Sequence, residues 1–276
     1  MSLDQDTLHQ LLDTIRRFVR NRLMPLEEQV ASTDQIPESV ISEMRELGLF
    51  GLTIPEEYGG LGLNTEEECK VAIELGYTSA AFRSVIGTNN GIGSQGLVMD
   101  GTDDQKENYL PRLASGEIIG SFALTEPNVG SDSANVQTKA EKDGDSYILN
   151  GTKRWITNAN IANLFTVFAR TDQSQKGSSG VSAFLVDANT PGISLSSKYK
   201  KMGQQGAHVC DVIFDNCRVP EVNIIGGPNN VNNGFKTAMK TLDRGRIHIS
   251  AFAVGCAKRL IEVSTQFSLE REQFGQ

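Results

Sequence analysis

Apolar residues recur at helical spacing along the first 117 residues of the chain. The first such segment carries arginines on its polar side, and its apolar positions are Leu8, Leu11, Leu12, Ile15, Phe18, Val19 and Leu23. Proline suits a first helical turn and glycine a helix end, so a second helix is predicted from Pro37 to Gly48. Capping boxes at 65–68 and 102–105 predict two more helices, and small, apolar residues predict a buried helix over 80–100. Residues 1–117 are therefore predicted to form an all-helical domain.

The period changes at Gly120, where short β-rich segments separated by turn residues begin. Asp143–Gly144 is predicted as one turn, and Asn150–Gly151 as a type I′ hairpin turn joining two strands. Further strands are predicted at 164–169, 181–187, 193–197, 208–214 and near residue 218. Many short strands are typical of a barrel or a sandwich, and we predict such a domain over residues 118–228.

Helical spacing returns at Asn233 and continues to Phe267. Residues 229–276 are therefore predicted as the first part of a C-terminal helical domain, with nothing packed after the last helix. No internal repeat or low-complexity segment interrupts the chain.

Composition and charge exclude several classes of function. Hydrophobic residues make up 38% of the chain and charged residues 22%, which is ordinary for a soluble protein. The formal net charge of −8 argues against nucleic acid or an anionic membrane as the main partner. Cysteine and histidine spacing predicts no metal site, and no signal peptide or apolar stretch of ~20 residues is present. We therefore expect a cytoplasmic protein without a membrane span.

Residues 91–96 match GxGxxG, the pattern of dinucleotide-binding folds. That fold requires a strand before the glycines and an acidic residue ~20 positions later, after a second strand. Helical patterns flank this stretch on both sides, so the glycines are predicted to allow close packing of helices instead.

The stretch from Ser121 to Ser131 ends a short apolar strand in a polar turn. Pro127 lacks an N–H and ends strand pairing, while Gly130 allows unusual backbone conformations. Hydroxyls and free N–H groups at such a strand end suit a flat, acceptor-rich ligand with a phosphate tail, although an ordinary turn has the same composition.

Several segments of the chain resemble the acyl-CoA dehydrogenases, in the order in which that family has them. The signature is Thr125-Glu-Pro-Asn-Val-Gly-Ser-Asp132, and the other matching segments are 47–51, 54–62, 101–106, 109–117, 150–158, 202–203, 209–220, 242–246 and 270–275. The resemblance implies an α+β multidomain fold: an N-terminal all-α domain, a middle antiparallel β-barrel and the start of a C-terminal helical bundle.

The resemblance further implies FAD, bound between the barrel and the C-terminal helices, and an acyl-CoA thioester beside it. A flavin-binding site combines a flat apolar surface with hydrogen-bond donors such as hydroxyls. The residues implied to bind the cofactor are Phe122, Ala123, Leu124, Thr125, Gly130, Ser131, Trp155, Ile156, Thr157, Arg271, Gln273 and Phe274. Thr125 would bond near flavin N5, whereas Arg271 would reach the FAD of a neighbouring subunit in a homodimer or homotetramer.

Ser131, Asp243 and Arg246 match the family's contacts to the acyl-CoA substrate. A solvated i, i+3 ion pair is the alternative interpretation of Asp243 and Arg246. The polar residues Asn89, Asn90 and Ser94 in the stretch that shapes the acyl pocket favour a short or substituted acyl group.

The implied reaction is α,β-dehydrogenation: a base removes the α-proton while a hydride leaves the β-carbon for flavin N5. By resemblance, an electron-transferring flavoprotein would then accept the electrons. Most relatives carry the base, a glutamate, at a position expected beyond Gln276, and a minority place it at the position of Gly245. No catalytic base is therefore predicted within these 276 residues. The alternatives are a truncated, inert flavin- or CoA-binding protein, or an acyl-CoA oxidase of the same fold.

Overall fold

The computed structural model describes residues 3–276, and the first part of it is helical. Seven α-helices form this part, namely α1 (Gln5–Phe18), α2 (Glu27–Thr33), α3 (Glu38–Glu46), α4 (Thr65–Leu75), α5 (Ala80–Asn90), α6 (Gln95–Asp100) and α7 (Asp103–Ala114). The predicted buried helix over 80–100 is two helices, because the chain turns at Gly91–Ser94. A Cβ at Gly93 would lie 2.8 Å from the carbonyl oxygen of Thr88, so the turn depends on glycine.

Side-chain caps begin α4 and α7 as the sequence pattern predicts, except that the cap of α4 lies one residue earlier than expected. Asn64, not Thr65, caps α4: its side chain accepts from the N–H groups of Glu66 and Glu67, and Glu67 bonds back to the Asn64 N–H. The predicted box of Thr102 and Gln105 is confirmed. Asparagine caps as well as threonine, and it lies one residue earlier.

The middle part is a curled seven-stranded sheet, and with the two helical parts it confirms the predicted fold class. The strands are β1 (Gly120–Ala123), β2 (Lys139–Asp143), β3 (Ser146–Thr157), β4 (Leu164–Arg170), β5 (Val181–Asp187), β6 (Ile193–Leu195) and β7 (Val209–Pro220). Their order is β1-β4-β2-β3-β7-β6, with β5 paired to β4. Most pairs are antiparallel, but β1 and β2 each run parallel to β4. β1 also lies against β3.

The predicted hairpin turn at Asn150–Gly151 is wrong. Both residues lie inside the continuous strand β3, where the pairing with β7 shifts register. A type I′ turn needs positive φ at both central residues, and Asn150 does not have it. A Cβ at Gly151 would lie 2.6 Å from Thr138 Oγ1, so this glycine allows the close approach of Thr138, the residue before β2. The turn predicted at Asp143–Gly144 is found one residue later, at Gly144–Asp145, because Asp143 still pairs with Ser146, and it joins β2 to β3.

The last helix, α8 (Gly234–Glu270), spans 37 residues and confirms the predicted return to helix. It packs against α4 through two glycines: a Cβ at Gly255 would lie 2.0 Å from the Ile73 carbonyl oxygen, and one at Gly76 would lie 2.3 Å from that of Phe252. This close packing places the first half of α8 beside α5 and the end of β3. Among residues 3–276, no helix is long and apolar enough to cross a membrane.

Candidate functional site

A buried ion pair supports the turn that follows β1. Lys153 Nζ donates to Glu126 Oε1 at 2.7 Å and to the carbonyl oxygen of Leu124 at 3.2 Å, and both charged side chains are almost fully buried. Glu126 also accepts from the N–H groups of Gln137 and Thr138. Burial lowers the pKa of Lys153 to about 8. Burial by itself would raise the pKa of Glu126, but the charge of Lys153 and the hydrogen bonds from Lys153 and Thr138 hold it below its usual value. The turn is therefore held from beneath by an ionised pair at neutral pH.

The turn itself is tight, and its outer backbone groups are free. Glu126 and Val129 exchange two backbone hydrogen bonds of 2.9 and 3.1 Å around Pro127 and Asn128. The N–H groups of Gly130 and Ser131, just beyond the turn, donate to no acceptor within residues 3–276. Two adjacent free N–H groups can bind a phosphate oxygen.

A bulge in β3 exposes the only tryptophan of the chain. Trp155 has φ +57°, which is unusual for a bulky residue, and its side chain is 60% exposed. Asp211 holds the bulge: its carboxylate accepts from the Trp155 N–H at 3.3 Å, from the Arg154 guanidinium at 3.3 Å and from Tyr199 Oη at 3.0 Å. Bulges of this kind re-aim a side chain next to functional sites.

Hydrogen bonds bring the ends of β1 and β3 together. The Arg154 N–H donates to the Thr125 carbonyl at 2.7 Å, and Ser121 Oγ donates to that of Thr157 at 2.6 Å. We call the resulting surface the platform, comprising Thr125, Gly130, Ser131, Trp155 and Thr157. The side chains of Phe122, Ala123, Leu124 and Ile156 are buried in the core, so these four residues could offer a ligand only their backbone.

If the platform binds the FAD that the family resemblance implies, replacing Asp211 by alanine is expected to weaken that binding by about 10- to 100-fold. The backbone strain at Trp155, about 1–3 kcal/mol, would no longer be compensated by the carboxylate. Quenching of the single tryptophan during an FAD titration measures the effect. Asp215→Ala, an exposed position on the same strand, is the matched control. An unchanged dissociation constant in a folded Asp211→Ala protein would contradict this assignment.

Beside the platform lies a crevice of about 320 Å³ between α5, α8 and the end of β3. Its walls include Thr88, Ile92, Thr157, Leu242, Gly245 and Arg246. Arg246 pairs with Asp243 on the solvent side, so the ion pair predicted as an alternative exists at the mouth of the crevice. Gly245 faces the cavity, and a Cβ there would meet only Ile92 Cγ2, at 3.3 Å.

A charged cluster at the end of the crevice was missed by the sequence analysis. Glu68 Oε1 lies 2.9 Å from His248 Nδ1, Glu68 Oε2 accepts from Arg244 Nε at 3.1 Å, and Arg83 Nε donates to His248 Nε2 at 3.1 Å. His248, for which the sequence indicated no function, is buried in this cluster. A signal was available, because Glu68 shares the apolar face of α4 with Val71, Ala72 and Leu75.

Asn89, Asn90 and Ser94 do not line the crevice, so they give no support to the expectation of a short or substituted acyl group. All three are buried. Asn89 donates to the carbonyls of Leu113 and Ile118 and accepts from the Gly120 N–H, and Asn90 donates to the carbonyl of Leu49. The glycines at 91–96 link two helices, with no strand before them, and Gly96 packs against Thr237 of α8.

Arg271, Gln273 and Phe274 follow the end of α8 and are exposed. The backbone hydrogen bonds of this segment stay within residues 267–276, so the structure does not bring these residues to the platform. Within the described part of the chain, no group of three or more His, Cys, Asp or Glu side chains is placed to hold a metal ion.

Three family models match the chain in order. They describe the N-terminal, middle and C-terminal domains of acyl-CoA dehydrogenase, over residues 5–117, 121–217 and 232–276. An acyl-CoA dehydrogenase of Bacillus subtilis is 38% identical over 261 residues, which are 95% of this chain and 68% of that protein. The chain thus spans about two thirds of the length of this relative.

Two solved structures show the same arrangement. Butyryl-CoA dehydrogenase from Megasphaera elsdenii superposes with a TM-score of 0.92 at 33% identity, covering 100% of this chain and 72% of that one. An acyl-CoA dehydrogenase from Bacillus anthracis, complexed with FAD, gives a TM-score of 0.88 at 33% identity, covering 100% of this chain and 47% of that one.

Proposed function

The chain belongs to the acyl-CoA dehydrogenase family, and we propose that it catalyses the FAD-dependent α,β-dehydrogenation of an acyl-CoA thioester to the trans-2-enoyl-CoA. The observation that carries this proposal is the platform beside the crevice: a surface with the chemistry of a flavin site adjoins a cavity large enough for a short acyl chain.

The platform fits FAD in the chemistry of its groups. The exposed indole of Trp155 offers a flat apolar surface, Thr125 and Thr157 offer hydroxyls, and the free N–H groups of Gly130 and Ser131 suit a pyrophosphate. The structure from Bacillus anthracis contains FAD, which supports the same cofactor here. Bound FAD would accept the hydride that leaves the β-carbon of the substrate.

The remaining roles follow from where the residues lie. Arg246 at the mouth of the crevice, oriented by Asp243, would bind the CoA part together with Ser131. Arg271, Gln273 and Phe274 project from the end of α8 and would complete the cofactor site of a second subunit. An electron-transferring flavoprotein would accept the electrons.

The general base lies outside the described residues in this proposal. Glu68 is the one carboxylate in the crevice wall of residues 3–276, and its two oxygens are taken by His248 and Arg244. By the family resemblance, a minority of relatives would carry the base at the position of Gly245, which has no side chain. The 276-residue chain should therefore bind cofactor and substrate but react slowly.

The reaction is tested by mixing the FAD-loaded chain with butyryl-CoA under argon. We expect loss of the visible flavin absorbance together with enoyl-CoA, slower by the roughly 10²- to 10⁴-fold that a positioned base contributes. Mass spectrometry identifies the product. Holoprotein that binds acyl-CoA of several lengths but never forms enoyl-CoA would instead be an inert flavin- and CoA-binding protein. Rapid return of the colour in air would identify an oxidase.

A further inference from the structure

Arg83, at the start of α5, is the one charged group in the crevice wall that has no partner of opposite charge. Its Nε donates to His248 Nε2, but no carboxylate oxygen of residues 3–276 lies within 4 Å of its guanidinium. Its two Nη groups donate to no acceptor in the same part of the chain. Burial lowers the pKa of Arg83, yet a guanidinium stays charged at any physiological pH. A desolvated positive charge is costly unless something pairs with it.

The other charges of the crevice are balanced. Glu68 pairs with Arg244, and Asp243 pairs with Arg246. His248 adds no charge, because its Nε2 must accept the hydrogen bond from Arg83 Nε and its single proton is then on Nδ1, donated to Glu68. The crevice therefore has one excess positive charge, and Arg83 carries it.

The backbone makes room for this guanidinium. Gly87 lies one turn after Arg83 on α5, and a Cβ there would lie 2.8 Å from Arg83 Cζ. Glycine inside a helix costs about 0.5–1 kcal/mol relative to alanine, so its presence here is explained by the space it leaves. Arg83 and Gly87 both line the cavity, so the guanidinium lies beside Gly87 at the wall of the space that a ligand would fill.

We infer that the crevice selects an acyl group with a carboxylate at the end away from the thioester, and that Arg83 binds this carboxylate through its Nη groups. The inference rests on the proposed function, because it assigns the substrate class of the same site. Arginine binds carboxylates with two parallel hydrogen bonds, which suits a guanidinium held at one Nε and free at both Nη. His248 and Glu68 act as positioning residues, since they fix the plane of the guanidinium.

A pair of six-carbon thioesters tests the inference. Adipyl-CoA carries the distal carboxylate and hexanoyl-CoA does not, and their dissociation constants are measured on the FAD-loaded chain by titration calorimetry. We expect adipyl-CoA to bind about 10- to 100-fold more tightly, the range for a charged hydrogen-bonded pair. Arg83→Met should reverse this preference, whereas Arg112→Met, which removes an exposed arginine elsewhere, should leave it unchanged.

Three results would overturn the inference. Equal affinities of the two esters for the unmodified chain would show that no carboxylate is recognised. Equal loss of affinity for adipyl-CoA, hexanoyl-CoA and free CoA in Arg83→Met would show that the arginine binds a CoA phosphate. In both cases the dehydrogenation of hexanoyl-CoA would still stand. If neither ester binds to the holoprotein, the proposed function fails and the inference fails with it.

The positioning role of His248 is tested separately, by the affinity for adipyl-CoA relative to hexanoyl-CoA in two His248 variants. His248→Gln keeps an oxygen that can accept from Arg83 and an N–H that can donate to Glu68, so it should retain most of the preference for adipyl-CoA. His248→Leu removes both hydrogen bonds without changing the charge of Arg83 and should lose most of the preference. Equal preference in the two variants would overturn the positioning role of His248.

Discussion

Glu126→Gln is expected to lower the free energy of unfolding by about 3–5 kcal/mol, because it leaves the charge of Lys153 buried without a counterion. It also removes an acceptor beneath the turn that carries Gly130 and Ser131, so FAD binding should weaken in parallel. Urea unfolding measures the stability, and quenching of Trp155 measures the cofactor affinity.

The double variant Glu126→Gln/Lys153→Met is the matched control. It removes both charges, so it should be more stable than Glu126→Gln alone. The pH dependence gives a second check. Since the pKa of Glu126 is lowered in the folded state, its contribution is fully present above the ordinary pKa of 4.5 and is lost as the pH falls through the lowered value. In Glu126→Gln, this loss of folding stability at low pH should be absent. Equal stability of Glu126→Gln and the unmodified chain would contradict the structural role of the pair.

Gly245→Glu is expected to accelerate reduction of bound FAD by butyryl-CoA about 10²- to 10⁴-fold, the contribution of a positioned general base. The position faces the crevice, and a Cβ there displaces only Ile92 Cγ2, by a few tenths of an ångström. The backbone at Gly245 is helical and does not require glycine, so a side chain at this position should not destabilise α8. Stopped-flow absorbance under argon, with enoyl-CoA quantified, measures the rate.

Gly245→Gln has the same shape without a base and should not react faster. The gain in Gly245→Glu should follow the deprotonation of a single carboxyl group, whose pKa the neighbouring arginines would keep low. Acceleration by both variants would mean that Gly245 affects the shape of the crevice and not proton transfer. Failure of Gly245→Glu in a protein that binds both ligands would argue against dehydrogenation at this site.

The sequence predicted the local structure well wherever one dominant local interaction decides it. Side-chain caps begin α7 at Thr102 and α4 within one residue of the expected position. The strand ending before Thr125 and the turn that follows were also predicted, because Pro127 has no N–H and cannot continue the strand pairing. Asn150–Gly151 failed because the same dipeptide can serve a hairpin or a close approach of two strands, and only the neighbouring Thr138 decides between them.

The platform could be predicted in part and the charged cluster could not. The resemblance of 125–132 and 150–158 to a known family indicated Thr125, Ser131, Trp155 and Thr157 as neighbours, and the structure brings the two segments together. Glu68 and His248 are 180 residues apart, and no periodicity relates them. A buried glutamate on the apolar face of α4 indicates only that some partner exists.

The sequence by itself therefore determined the succession of helical, β and helical parts, the family, and the polar turn after β1, because these depend on local backbone preferences and on matching residues in order. Only the tertiary structure decided which charges meet. Close glycine contacts bring α8 against α4 and beside α5, and there Arg244 neutralises Glu68 while Arg83 is left unpaired. Charge balance in a crevice depends on distances between distant segments, and such distances are set by packing and not by sequence spacing.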